Sequence, residues 1–424
     1  MSTSLIIIFI GLFIFFGHYL SGVFERRSIP DVLGLILIGV LIGPVFGVVN
    51  PSDFGKFGPV FSNLVLIFIL FESGTDLKVE EIKASFKDTA GITFFGFLST
   101  AIVLALLSRL IFDMHWLSCL FLGTALGGTS SAVVVGLARK LPIKPKTTTT
   151  LIMESAETDL FTLAIPISIL TVMLTGEKIT ASTVLSQFFA ALIMALVIGV
   201  GGAFLWSFIV NKIPYLKNTK FSTPAFLFIL YGIAEYLNFS GPLTALSFGV
   251  AIGNLKYFEP KFIERIVPNQ NIVLPPGEKD FFTELIFLLR TFFFLFIGMS
   301  IQIERLDWLA WSAAITASLI IARLLVVKVL ISKKEPVMDK AAISIMIPKG
   351  LGAAVVATLP MQNGVADGFI IQSIGFGIIL FSTIYCVLLY FLLRTNISMP
   401  FYIFFFGKDK STPTGTQTPS TTKV

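Results

Sequence analysis

The strongest constraint on this chain is a succession of long apolar runs that are almost free of charge. Thirteen of them lie near 3–24, 31–49, 58–75, 88–112, 116–138, 148–174, 181–210, 222–238, 240–254, 279–301, 307–331, 337–361 and 366–394. Most reach the ~20 residues that a helix needs to cross the hydrocarbon core of a bilayer, and the pair 222–238 and 240–254 is short. A soluble domain is ~25% charged; here 13% of the 424 residues are charged and 55% are hydrophobic. No water-facing surface can be built from that composition, which excludes a soluble enzyme, a nucleic-acid binder and a disordered scaffold. The class is an all-α polytopic membrane protein with about 13 transmembrane helices, from the length and apolarity of these runs.

The basic residues test that count. With the N-terminus outside, alternate loops carry 23 of the 31 Lys and Arg, among them Arg26, Arg27, Arg139, Lys140, Lys144, Lys146, Lys333 and Lys334. The opposite loops carry only Lys56, Arg109, Lys178 and Arg305. One missed or invented span would move every later loop to the wrong side. The positive-inside rule therefore predicts a cell-membrane protein with its N-terminus outside and its C-terminus cytoplasmic. One transmembrane unit is expected over 1–400. A cytoplasmic end and disordered tail are expected over 401–424, the disorder from Lys408 to Val424, where Thr, Ser and Pro accumulate without apolar periodicity. No nucleotide-binding regulatory domain and no nucleic-acid partner are expected, and membrane lipid surrounds the chain. Cys119 and Cys386 lie in apolar stretches and form no metal or disulfide pattern.

Charges inside the spans are costly, at ~2.5–3.5 kcal/mol each near the bilayer centre, so those present are paired, hydrated or working. The candidates are Glu72, Glu154, Glu157, Asp159, Glu235, Glu284, Arg290, Arg323 and Lys349. Glu72 and Glu284 are near span ends. The densest group is Glu154-Ser155-Ala156-Glu157-Thr158-Asp159. At helical spacing Ser155 and Asp159 stack as i,i+4 neighbours, with Thr158 on the adjoining edge. A carboxylate with hydroxyls suits a hard monovalent cation, whose water shell is replaced by oxygen ligands. Glu154 can pair with a buried base, whereas Asp159 lies about three turns into its span and is the expected carrier.

Two spans contain helix breakers, Leu126-Gly127-Gly128-Thr129-Ser130-Ser131 in the fifth and Ile347-Pro348-Lys349-Gly350-Leu351-Gly352 in the twelfth. Freed backbone groups at mid-depth are tolerated only where they line a cavity or are re-satisfied by protein. The two spans are seven apart, as expected of two six-helix repeats joined by the seventh span, and interrupted helices at matching positions point to a secondary transporter's site. Lys349 can offset carbonyl ends or pair with Glu154.

Four motifs then resemble the cation:proton antiporter superfamily, in particular its sodium/hydrogen exchangers and monovalent cation:proton antiporter-2-like members. They are Ile29–Gly34 through Gly39–Pro44, Phe71–Leu77, Ser240–Leu243 through Gly249–Asn254, and Phe293–Ser300. The resemblance implies the sodium/proton-antiporter fold: two inverted repeats, two crossing broken helices, a core domain over approximately 88–174 and 307–394, and a dimerisation domain from the remaining helices. It also implies a homodimer. Asp159 falls on the ion-binding aspartate, Thr158 on the preceding Asn or Asp, Thr129 and Ser130 on the fifth-helix break, and Ser155 on a further ligand position. Glu154 and Lys349 fall on a structural acid–base pair, and Arg290 on the tenth-helix position of a basic residue. Thr158 and Ser130 depart from the usual carboxylate or amide, leaving a site with fewer carboxylates.

The expected function is antiport of a monovalent cation, Na+ foremost with K+ or Li+ open, against protons. One buried aspartate carries either a proton or the cation, and alternating access delivers it. One carboxylate makes one-for-one, electroneutral exchange the simplest arithmetic. No enzymatic activity and no cofactor are expected beyond the transported ions. A gated cation channel, or a transport-inactive sensor on the same fold, is the alternative.

Overall fold

A computed structural model describes residues 3–27, 29–49, 57–76, 79–175, 181–213, 215–216, 221–237, 239–254 and 276–407. Lys56, Lys78, Lys178, Lys217, Lys220, Lys256, Lys261, Arg265 and the Thr/Ser-rich stretch 408–424 lie outside the described residues.

The helices follow the apolar runs closely. They are α1 (Thr3–Arg27), α2 (Asp31–Val40), α3 (Phe57–Asp76), α4 (Val79–Phe112), α5 (Trp116–Ala125), α6 (Ser131–Ala138), α7 (Pro145–Thr175) and α8 (Ala181–Lys212). Then come α9 (Ser222–Tyr236), α10 (Gly241–Gly253), α11 (Pro276–Met299), α12 (Leu306–Leu330), α13 (Val337–Ile345), α14 (Leu351–Gln362), α15 (Gly368–Arg394) and α16 (Met399–Phe406). Each of the thirteen expected spans corresponds to a helix or to two halves of one. Among the described residues, six helices are by themselves long and apolar enough to span a bilayer. The broken spans reach that length only as pairs, with α5 and α6 having 10 and 8 residues and α13 and α14 having 9 and 12.

Local chemistry sets several boundaries. Ser240 caps α10 by accepting from the Leu243 N–H at 3.2 Å, leaving Pro242 in the first turn, where its missing N–H costs nothing. Gly43-Pro44 ends α2 in a π-helical turn over Leu41–Val45, because Pro44 cannot donate to the ladder. At the C-terminal end residues 399–406, ahead of the Thr/Ser-rich stretch, form α16, a short helix that is not among the expected spans. The run Phe401-Tyr402-Ile403-Phe404-Phe405-Phe406 is too short to read as a span, yet tertiary contact holds it as a helix.

Two packing groups divide the chain. Helices α4, α5 and α7 pack mutually and α12 packs on α4, joined by α6 on α7, by α14 on α5, α7 and α15, and by α15 on α12. In the second group, α3, α8 and α9 surround α10, and α2 lies along α11. Small residues set these last crossings. A Cβ on Gly39 would come within 2.9 Å of the Gly298 Cα, and one on Gly253 within 3.0 Å of the Thr75 Cα. Much of what makes the motif segments distinctive in sequence is thus close helix contact, as small residues permit in membranes. Replacing Gly39 by Val is expected to lower unfolding stability in detergent by about 1–3 kcal/mol through overpacking. Gly91→Ala, where nothing lies within 4 Å of the added carbon, is the control and should leave the unfolding midpoint essentially unmoved.

Candidate functional site

The two breaks meet at mid-depth. The Ser130 N–H donates to the Pro348 carbonyl at 2.7 Å, so one loop supplies the backbone partner the other lacks. The Thr129 N–H donates to Thr158 Oγ1 at 3.2 Å, and the Lys349 N–H donates to Ser382 Oγ at 3.1 Å. Lys349 Nζ donates to the Gly128 carbonyl at 2.9 Å, setting a positive charge against the carbonyl end of α5. Gly128 is required for this approach: an added Cβ would lie 2.7 Å from Thr162 Cγ2 and 3.0 Å from the Thr158 carbonyl oxygen. The freed backbone groups named here are therefore satisfied by protein, as the bilayer interior demands.

Asp159 projects from the middle of α7 beside this crossing. Its carboxylate accepts a hydrogen bond from Ser131 Oγ, at the first turn of α6. The N-terminal end of α6 brings partial positive charge toward the carboxylate. The site opens into a cavity of about 600 Å³. One wall carries Ser130, Ser131, Asp159 and the Gly350–Gly352 segment, and the other carries Glu72, Asp76 and Arg290. Asp76 ends α3, Val135 lies near the end of α6, Ile152 near the start of α7 and Thr283 near the start of α11, so the cavity runs from mid-depth to one end of the bundle.

The remaining charges of α7 are already committed. Glu154 is held by Arg323 of α12, with Nη2 to Oε2 at 2.6 Å, and Arg323 Nε donates to the Ile343 carbonyl at 3.2 Å. This corrects the pairing expected of Glu154 with Lys349. Lys349 is spent on the Gly128 carbonyl, while Arg323 offers a planar two-point donor that fits a carboxylate. Glu157 accepts from Thr89 Oγ1 at 2.9 Å and Thr93 Oγ1 at 2.6 Å, both on α4. Arg290 pairs with Asp31 at 2.7 Å on the far side of the cavity from Asp159. Among the described residues Asp159 forms no ion pair.

The hydroxyls expected around the ion divide. Ser130 lines the cavity, but Thr158 faces the break and donates to the Ser155 carbonyl at 3.2 Å. Ser155 is fully buried and donates to the Ile152 carbonyl at 2.9 Å, and Thr129 engages Thr158 through its backbone; neither lines the cavity. Ser131, the third hydroxyl of the Thr129-Ser130-Ser131 run, is not among the expected site residues, and neither are Asp31 and Asp76, which sit at helix ends inside two of the motif segments.

A bundle with two broken helices crossing beside a carboxylate that has no ion pair among the described residues, at the head of a cavity, has the architecture expected of the antiporter fold. Residues 11–394 match the family described as sodium/hydrogen exchanger, transmembrane, and the chain belongs to that family. It is similar to the K(+)/H(+) antiporter NhaP2 of Shewanella oneidensis, 25% identical over 239 residues, 55% of this chain and 41% of the relative. It is also similar to the Na(+)/H(+)-K(+) antiporter GerN of Bacillus cereus, 25% identical over 55% of this chain and 59% of that protein. The match thus spans about two-fifths to three-fifths of these relatives. The solved sodium proton antiporter MjNhaP1 of Methanocaldococcus jannaschii superposes with a TM-score of 0.67 at 19% identity, covering 91% of this chain and all of that one. That likeness establishes the expected fold.

Proposed function

We propose that this chain exchanges a monovalent cation for protons across the cell membrane, with Asp159 as the carrier. One observation carries the reading. Of the three carboxylates in the middle of α7, Glu154 is neutralised by Arg323 and Glu157 is held by two hydroxyls, while Asp159 looks into a cavity with only Ser131 upon it. A proton and a cation compete for that carboxylate, and one excludes the other. If only the occupied, neutral site moves between the two faces, competition alone produces antiport.

In this reading the groups around α4–α7 and α12–α15 form the moving core, and the remaining helices form the scaffold that pairs two copies. The cavity opens toward the helix ends joined by the basic loops, so the described state faces the cytoplasm, with the N-terminus outside. Ser130 and Ser131 are the hydroxyls placed to complete the cation's shell, and Glu72 and Asp76 draw cations into the cavity. Na+ is the first cargo to test, with K+ and Li+ beside it, since the named relatives include exchangers of both Na+ and K+.

The test is proton movement in proteoliposomes on adding Na+, K+ or Li+ in turn, across pH 6 to 9. One-for-one competition predicts that the apparent cation affinity weakens as pH falls, approaching about tenfold per pH unit on the acid side. An affinity independent of pH would exclude a shared site. Electroneutral exchange further predicts a rate insensitive to an imposed potential, whereas each net charge moved would be biased by about 2.3 kcal/mol per 100 mV.

A further inference from the structure

We propose that α16 is an interfacial helix that seats the broken-helix bundle on anionic phospholipid. The helix is apolar all round, Met399-Pro400-Phe401-Tyr402-Ile403-Phe404-Phe405-Phe406, yet only one side is covered by protein. Tyr402 is 3% exposed and packs in a cluster with Val337 and Ala341 of α13, Leu324 and Val327 of α12, and Tyr390 of α15. The other side presents Phe401 at 51% and Phe404 at 89% exposure, continued by Ile397 at 68%. Water would not tolerate such a face on a helix this short.

The surroundings identify what covers it. Lys328 Nζ lies 4.3 Å from the centre of the Phe405 ring, and Lys340 Nζ lies 5.9 Å from that of Phe406. Lys328, Lys333, Lys334 and Arg394 are exposed at the same end of the bundle, and the sequence continues with Lys408 and Lys410. Aromatic side chains beneath a ring of basic ones match a leaflet interface, where the rings enter the acyl boundary and the cations meet anionic headgroups. A second protein copy would match the rings but leave this positive charge facing itself. Because α16 packs on α13, and α13 runs directly into the break at Met346–Gly350, the anchor belongs to the half of the molecule that carries Asp159's crossing.

The experiment places a nitroxide at Phe404→Cys in the full chain reconstituted in vesicles; the natural Cys119 and Cys386 are buried and do not compete for the label. Dissolved oxygen is expected to relax the label more strongly than a water-soluble nickel chelate, at a depth just below the headgroups. Spin-labelled phosphatidylglycerol is expected to associate with the protein in preference to phosphatidylcholine, and K333Q/K334Q to weaken that preference by about fivefold per charge removed. A label fully open to the nickel chelate, spin–spin broadening from a second copy, or a lipid preference unchanged in K333Q/K334Q would each overturn the proposal. None of these readouts depends on transport, so an Asp159→Asn background should give the same result whatever its ion flux.

Discussion

Replacing Asp159 by Asn is expected to abolish cation-driven proton movement, down to the background of vesicles without protein, while leaving the fold intact. Asn has nearly the same shape, and its carbonyl oxygen can still accept from Ser131 Oγ, the partner seen in the structure. The lost stability should stay below about 1 kcal/mol, the scale of one altered hydrogen bond. What Asn cannot do is bind and release a proton, nor offer a full negative charge to a cation. The loss should therefore appear as vanishing turnover at every cation concentration and pH, not as a weakened affinity. Vesicle assays with sodium, potassium and lithium, paired with an unfolding curve, separate this from misfolding. A variant with wild-type exchange would move the carrier elsewhere, and Glu72, across the same cavity, would be the next carboxylate to replace.

The largest stability effect is expected at Arg323. Its side chain is 5% exposed and that of Glu154 is 3% exposed, so neither charge is screened by water. The guanidinium holds both carboxylate oxygens and the Ile343 carbonyl, tying α12 to α7 and to α13 just before the break. Arg323→Ala strands a buried carboxylate and should cost about 3–5 kcal/mol. Removing both charges together, as in E154Q/R323A, should recover a substantial part of that loss, because the penalty comes mainly from the unpaired partner rather than from the missing attraction. Unfolding midpoints of the two single variants and the double variant, measured in the same detergent, form the cycle that tests this. Equal destabilisation in the double variant and in Arg323→Ala would show that the guanidinium acts by packing instead. Gly96 lies directly beneath Arg323 Nη1, so a bulkier residue there should reproduce part of the Arg323 effect.

The contrast between these two positions explains what could be read ahead of the structure. Asp159 was legible because charges are scarce in the spans and because it sits deep in an apolar run, where an ionisable group demands a reason. The breaks were legible because Gly127-Gly128 and Pro348-Lys349-Gly350 are incompatible with an uninterrupted helix. Glu154's partner was not legible. Arg323 lies 169 residues away, and at that separation sequence offers only a choice among buried bases. Lys349 was the nearer candidate by motif, but its amine reaches the Gly128 carbonyl. Ser155 and Thr158 were placed correctly on one edge of α7 by helical periodicity, yet periodicity gives the direction of a side chain and not what fills the space before it. There the neighbours are the helix's own carbonyls and the loop at Thr129, so the cavity receives Asp159 and the hydroxyls of Ser130 and Ser131 instead.

The sequence by itself determined the class, the thirteen spans, the two interrupted helices and the one carboxylate most in need of a function. These depend on local quantities: the length of an apolar run, the dihedral limits of Gly and Pro, and the cost of charge in hydrocarbon. Only the tertiary structure decided which charges neutralise one another, which hydroxyls line the cavity beside Asp159, and that the short aromatic run at Met399–Phe406 is a helix docked on α13. Those outcomes turn on distances of a few ångströms between segments far apart in the chain, where one hydrogen bond chooses between partners of the same chemistry.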